Sequence, residues 1–153
     1  RKECAPEQPA PTADLVLSQT YHNPVLKYSL AYPEGWRLEE AEDSIRLQRG
    51  EYTLFIGFWR NGEQAPLFRT GMPEGEFVES GSFSLLGQTL PKQYLVAESK
   101  ITLEDYGFGL EFGALSLAIW LDGRDQPPAT YRERNLPETV IQEAEAILNS
   151  MRR

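Results

Sequence analysis

Cysteine and histidine are almost missing from this chain of 153 residues, which holds one of each. A single cysteine, Cys4, excludes an intramolecular disulfide and any cysteine-rich zinc site. A single histidine, His22, leaves no H-x-x-x-H pair, and histidine is the usual transition-metal ligand and general base near neutral pH. Beside Asn23-Pro24, His22 reads as a turn residue. Long apolar runs are lacking too: there is no secretory hydrophobic region and no stretch of about 18 apolar residues to cross a bilayer as a helix. Basic residues are in deficit, 15 Lys and Arg against 23 Asp and Glu, for a net charge of -8 and a pI near 4.7. That balance disfavours a partner held by phosphate contacts, whether nucleic acid or an anionic membrane.

Catalytic motifs are missing in the same way. No G-x-S-x-G elbow occurs, and Gly81-Ser82 does not replace one. No P-loop is present, and the glycines of GFGLEFG (107–113) have the wrong spacing for a dinucleotide turn. The D-G-R-D stretch places Asp122 and Asp125 around Gly123, yet Arg124 would repel a cation and the glutamate an EF-hand needs is absent. Glu104-Asp105 reads as an acidic turn. A Cys4–His22 dyad would require a mobile tail to fold back, and paired carboxylates need a cleft that spacing alone does not reveal. The reading is a non-enzymatic protein without cofactor or metal.

The remaining composition, 41% hydrophobic and 25% charged, is that of a folded domain rather than a disordered chain. At this length one core buries roughly 70% of the unfolded surface and needs no staple. Three Trp, seven Tyr and seven Phe supply much of that core. Residues 1–14 form a Pro-rich tether that cannot pack, and residues 15–153 form one domain. The chain does not start with Met, so an upstream piece is expected. Cys4 followed by such a tether fits a lipid-bearing cysteine, although Arg1, Lys2 and Glu3 are not the small residues a lipoprotein cleavage site prefers. The alternative is an incidental cysteine in a mobile tail. Either route points to an extracytoplasmic, envelope location.

Strand period runs through most of the domain. Tyr28, Leu30 and Tyr32 alternate with Ser29 and Ala31, then Pro33-Glu34-Gly35 turns the chain and Trp36 re-enters the core. The acids Glu39, Glu40, Glu42 and Asp43 read as a solvated hairpin loop. SIRLQR (44–49) alternates cleanly. YTLFIGFW (52–59) is apolar on both faces and belongs near the middle of a sheet. Residues 60–75 are too rich in Pro and Gly for a helix. Short strands follow at 76–78, 82–86, 93–97 and 101–103, and a last sheet segment at 108–121 carries Gly109 and Gly113 as bulge candidates. A single helix is predicted over 135–151. Leu136, Val140, Ala144, Ile147, Leu148 and Met151 form its apolar stripe, and that stripe should cover one face of the sheet. Asn135 and Glu138 compose a capping box, with Pro137 in the first turn.

These segments carry a resemblance. YSLAYPEGW (28–36) matches a Y-x-[LA]-x-Y-P-x-G-W opening, and ILNSM (147–151) matches an I-L-x-S-[MF] close. Together they resemble the PsbP-like fold of a photosystem II extrinsic subunit and a Ran-binding nuclear protein, and bacterial envelope lipoproteins of the same build. The resemblance spans roughly residues 20–151 and implies an α+β architecture, an antiparallel β-sheet packed by a C-terminal amphipathic helix in an α/β/α sandwich. It transfers no catalytic residue, and it implies action by docking onto partners. Residues 60–75 depart from it, since the family often has a helix mid-chain.

The functional expectation is an extracytoplasmic protein-interaction module. Its partner would be another envelope protein, it would touch the membrane only through its tether or a lipid, and it would be a monomer or weak dimer. Exposed aromatics beside arginine compose interface anchors, so Trp59, Arg60, Phe68 and Arg69 in and beside the long loop are the candidate binding residues. Phe68 and Leu67 could instead tuck the loop against the sheet. The alternative function is a small-molecule or lipid carrier with a pocket between helix and sheet.

Overall fold

Asn23 organises the first element pair. Strands β1 (Gln19–Asn23) and β2 (Tyr28–Tyr32) form an antiparallel hairpin. The Asn23 Oδ1 accepts hydrogen bonds from the N–H groups of Val25 and Leu26, each at 2.9 Å, and Lys27 N–H donates to the Asn23 carbonyl at 2.7 Å. This side-chain turn lets Pro24 sit where no backbone donor is needed. Lys27 closes the loop at φ 62°. His22 therefore lies in a strand, exposed, rather than in the turn expected for it. The computed structural model describes residues 15–60, 75–97, 100–106, 110–112, 115–122 and 136–153.

The C-terminal helix α1 (Glu138–Asn149) packs against β2. Its buried residues are Val140, Ile141, Ala144, Ile147 and Leu148, flanked by buried Leu136 and Met151. All six stripe positions read from the sequence are inside, and Ile141 widens the stripe. The N-terminus differs from expectation. Pro137 is itself the N-cap, in extended geometry, and offers no side-chain bond. Ile141 N–H donates to the Pro137 carbonyl at 3.1 Å. Asn135 lies outside the described residues. The C-terminus is closed by Arg152, whose Nη1 donates to the carbonyl of Asn149 at 2.9 Å.

Helix and hairpin are joined at the edge of β2. Ser29 and Arg152 exchange backbone hydrogen bonds in both directions, each 2.9 Å. Two residues on, Ala31 N–H donates to Ser150 Oγ at 2.8 Å. The Ser150 hydroxyl donates to the Ile147 carbonyl at 2.6 Å and can swing to the Ala31 carbonyl at 3.1 Å. A serine side chain thus stands in for a peptide group, and the outer edge of β2 is satisfied without a further strand. The two sequence signatures, YSLAY and ILNSM, meet at this seam.

This hairpin and helix form one compact unit, and residues 35–136 form another. The second unit holds β3 (Arg37–Glu40), β4 (Ser44–Arg49), β5 (Tyr52–Arg60), β6 (Glu76–Leu85), β7 (Gln88–Ala97), β8 (Lys100–Asp105), β9 (Leu110–Phe112) and β10 (Leu115–Asp122). Their order in one sheet is β3-β4-β5-β10-β8-β7-β6, with β9 also on β10. All pairings are antiparallel. β8 and β9 share one side of β10, like a single strand interrupted after Tyr106. The fold is therefore mostly antiparallel sheet with one C-terminal helix among the described residues, an α+β arrangement.

Several segments differ from the pattern-based reading. Glu39 and Glu40 belong to β3, not to a loop. The 76–78 and 82–86 segments are one strand, β6, with a bulge between Glu79 and Ser82 where Gly81 takes φ +117°. Pro91 lies within β7 rather than before it. It is tolerated because that end of β7 pairs with β6 alone, β8 reaching only as far as Gln93. Glu104 and Asp105 sit inside β8, not in a turn. The 108–121 segment is the β9–β10 hairpin, not a single strand. Gly109 and Gly113 lie outside the described residues.

Replacing Ser150 with Ala leaves the Ala31 N–H without its acceptor. We expect a loss of about 1–2 kcal/mol in unfolding free energy, read as a lower urea midpoint at unchanged slope.

Candidate functional site

The sheet register sorts the side chains into two faces. Because successive residues alternate, one face carries Ile45, Leu47, Leu54, Ile56, Phe58, Leu117, Ile119 and Leu121. All eight are buried, so this face is almost wholly aliphatic at its centre. The other face carries Phe55, Ala118, Trp120, Leu103 and Leu95, a buried cluster with Trp59 packed partly against it. The Phe55 and Trp120 rings lie 5.5 Å apart, tilted by 31°. The Arg46 guanidinium stands 5.5 Å above the Phe55 ring, a cation–π arrangement at the solvent side of the cluster.

A glycine makes this aromatic layer possible. A Cβ on Gly57 would stand 2.6 Å from the Phe55 ring. Its cross-strand neighbours are Ser44 and Ala118. This row of small residues leaves the room in which the ring lies flat along β5.

Trp59, half-buried, is the outermost member of the cluster, and Arg60 beside it is exposed at the end of β5. The two candidate binding residues thus lie at the end of β5, a strand in the interior of the sheet. Phe68, Arg69 and Cys4 lie outside the described residues. An aromatic–arginine contact does occur on this face, but it joins Arg46 to Phe55 across strands. Adjacency in sequence could not have found that pair, because only the register brings it together.

The acids are distributed in a way that spacing does not reveal. Glu104 is only 4% exposed and lies in a row with Leu121 and Tyr94. Asp122 is 2% exposed and lies in a row with Thr53, Gln48 and Arg37. Arg37 Nη2 donates to Gln48 Oε1 at 2.6 Å, so a polar lane runs from the β3 edge towards Asp122. Alternation puts Glu104 and Asp122 on opposite faces, with the sheet between them. Those two carboxylates therefore cannot flank a common substrate, which removes them as a glycosidase-type pair. Among the described residues no group of three or more His, Cys, Asp and Glu could hold a metal ion. No described helix is long and apolar enough to cross a membrane.

The outer strand β6 supplies a feature that the sequence reading missed. Its first half is exposed on both faces, and Phe77 is 45% exposed. The signal was present in EFVE, where an aromatic sits between glutamates. No family model, curated protein or solved structure matches this chain.

Replacing Gly57 with Val displaces the Phe55 ring and overpacks the row. The expected cost is about 1–3 kcal/mol, with an altered tryptophan emission spectrum in the folded protein as the local readout.

Proposed function

We propose that this protein is a non-enzymatic, extracytoplasmic interaction module of PsbP-like build, with Trp59 and Arg60 at the centre of its contact surface. The observation that carries the reading is the geometry at the end of β5. Trp59 is held against the Phe55–Trp120 cluster, so its ring is ordered before any partner arrives, and exposed Arg60 follows it directly. A pre-ordered indole loses little side-chain entropy on binding, and arginine can reach carboxylates or aromatic faces on a partner. Phe68 and Arg69, which lie outside the described residues, are the further candidate anchors in this reading. The partner in this reading is another envelope protein.

The stretch after Cys4 supports tethering by its composition, since three prolines fall within residues 5–14. In this reading Cys4 carries the lipid.

Site-specific photo-crosslinking from position 61 in cells should give one discrete adduct, and replacing Trp59 with Ala should reduce it by about tenfold, equivalent to about 1.4 kcal/mol at the anchor. Unchanged cross-linking by that variant, with the fold intact by circular dichroism, removes the assignment. Replacing Cys4 with Ser should move the full-length protein from the membrane to the soluble fraction, and retention in the membrane fraction ends the lipid reading.

A further inference from the structure

The strand edges of this protein are not treated alike. The outer edge of β2 is sealed by Ser150 and Arg152. At β3 the edge is four residues long and charged, with Arg37 bound to Gln48 at 2.6 Å and to Glu39 at 3.3 Å. Short length and mixed charge are ordinary protections against strand addition. β6 is different. It is ten residues long and ends the strand order on its side of the sheet. Every second residue of such a strand points its N–H and C=O away from its neighbour.

The chemistry of β6 is also one-sided. Between Arg69 and Lys92 the sequence contains no basic residue at all. Lysine is the side chain most often used to guard an edge, and here the exposed charges are Glu76 and Glu79. Phe77 lies between them, 45% exposed, and Val78 is half-buried. The bulge after Glu79 ends the regular register. Among the described residues no strand pairs the outer side of the four-residue stretch from Glu76 to Glu79, which is in register with Val96, Leu95, Tyr94 and Gln93 of β7.

We infer that β6 is a docking edge for a basic, extended peptide segment of another protein, which adds to the sheet as an antiparallel strand. Backbone hydrogen bonds supply the common part of the affinity, and side chains opposite each position supply the choice of partner. Residues directly opposite interact most strongly. The segment therefore carries a basic residue opposite Glu79, an aliphatic one opposite Val78, an aromatic one opposite Phe77 and a basic one opposite Glu76. The net charge of -8 steers the same class of ligand towards the protein. This inference names the chemistry of a partner within the interaction-module reading. It uses a surface separate from Trp59, and the two can fail independently.

The test titrates the whole protein into a fluorescein-labelled hexapeptide, Thr-Lys-Val-Tyr-Lys-Thr, at low salt. Saturable binding with a Kd of about 100 µM is expected for so short a template, with amide shifts confined to 76–79 and their β7 partners. Glu76→Lys with Glu79→Lys should weaken it by about tenfold or more. Phe77→Ser should weaken it similarly, and N-methylating the peptide backbone should abolish it. These positions are exposed, so the variants should fold, and circular dichroism checks this. No saturation, or binding unchanged by both variants, overturns the proposal and leaves the Trp59 reading to its own cross-linking result. Concentration-dependent dimerisation of the unliganded protein through β6, lost in Glu76→Lys with Glu79→Lys, also overturns it, since the occupant would then be a second copy.

Discussion

The ladder between β5 and β10 is the constraint on which the large sheet depends. Strands β3 to β5 form one meander and β6 to β10 another, and this antiparallel pairing closes one onto the other. Eight residue pairs align, from Leu115 with Arg60 to Asp122 with Thr53. Both strands are buried on both faces along most of their length. Apolar area removed from water on two sides contributes about twice what a surface strand gains, which offsets the entropy of closing a long connection. The aromatic layer follows from the same register, since Phe55 meets Trp120 and Gly57 meets Ala118 only when the ladder is in place.

Edges set what the molecule can do beyond folding. A sheet must end somewhere, and each end exposes backbone groups that another chain could use. At β2 the helix terminus supplies a hydroxyl and one backbone bridge, so the edge is closed by the chain itself. At β3 closure is by shortness and charge. β6 keeps its length, its aromatic and its acids exposed. The contact proposed at Trp59 rests on a different principle, a ring that packs against the core cluster.

Much of the secondary structure was legible in the residues. SIRLQR and YSLAY alternate at strand period and are the observed β4 and β2, and all six stripe positions of the helix are buried. Burial of β5 on both faces followed from its unbroken apolar run, Leu54 to Phe58. Errors cluster where local signals compete with pairing. Glutamates favour loops by propensity, yet Glu39, Glu40 and Glu104 lie in strands because neighbouring ladders hold them. Pro91 resembles a strand boundary, yet the missing donor costs nothing where β7 has no partner on that side. Of the candidate site, the adjacency of Trp59 and Arg60 was readable in one dimension, while Arg46 over Phe55 and Phe77 on an edge strand were not.

The sequence alone determined the α+β class, the central strand, the helix and its buried face, since each depends on periodicity within one segment. Tertiary structure decided the strand order, the faces on which Glu104 and Asp122 lie, the seam from Ser150 to Ala31, and which strands end the sheet. Those properties depend on which distant segment pairs with which. One residue of register moves a side chain to the opposite face of a sheet, and no local pattern carries that information.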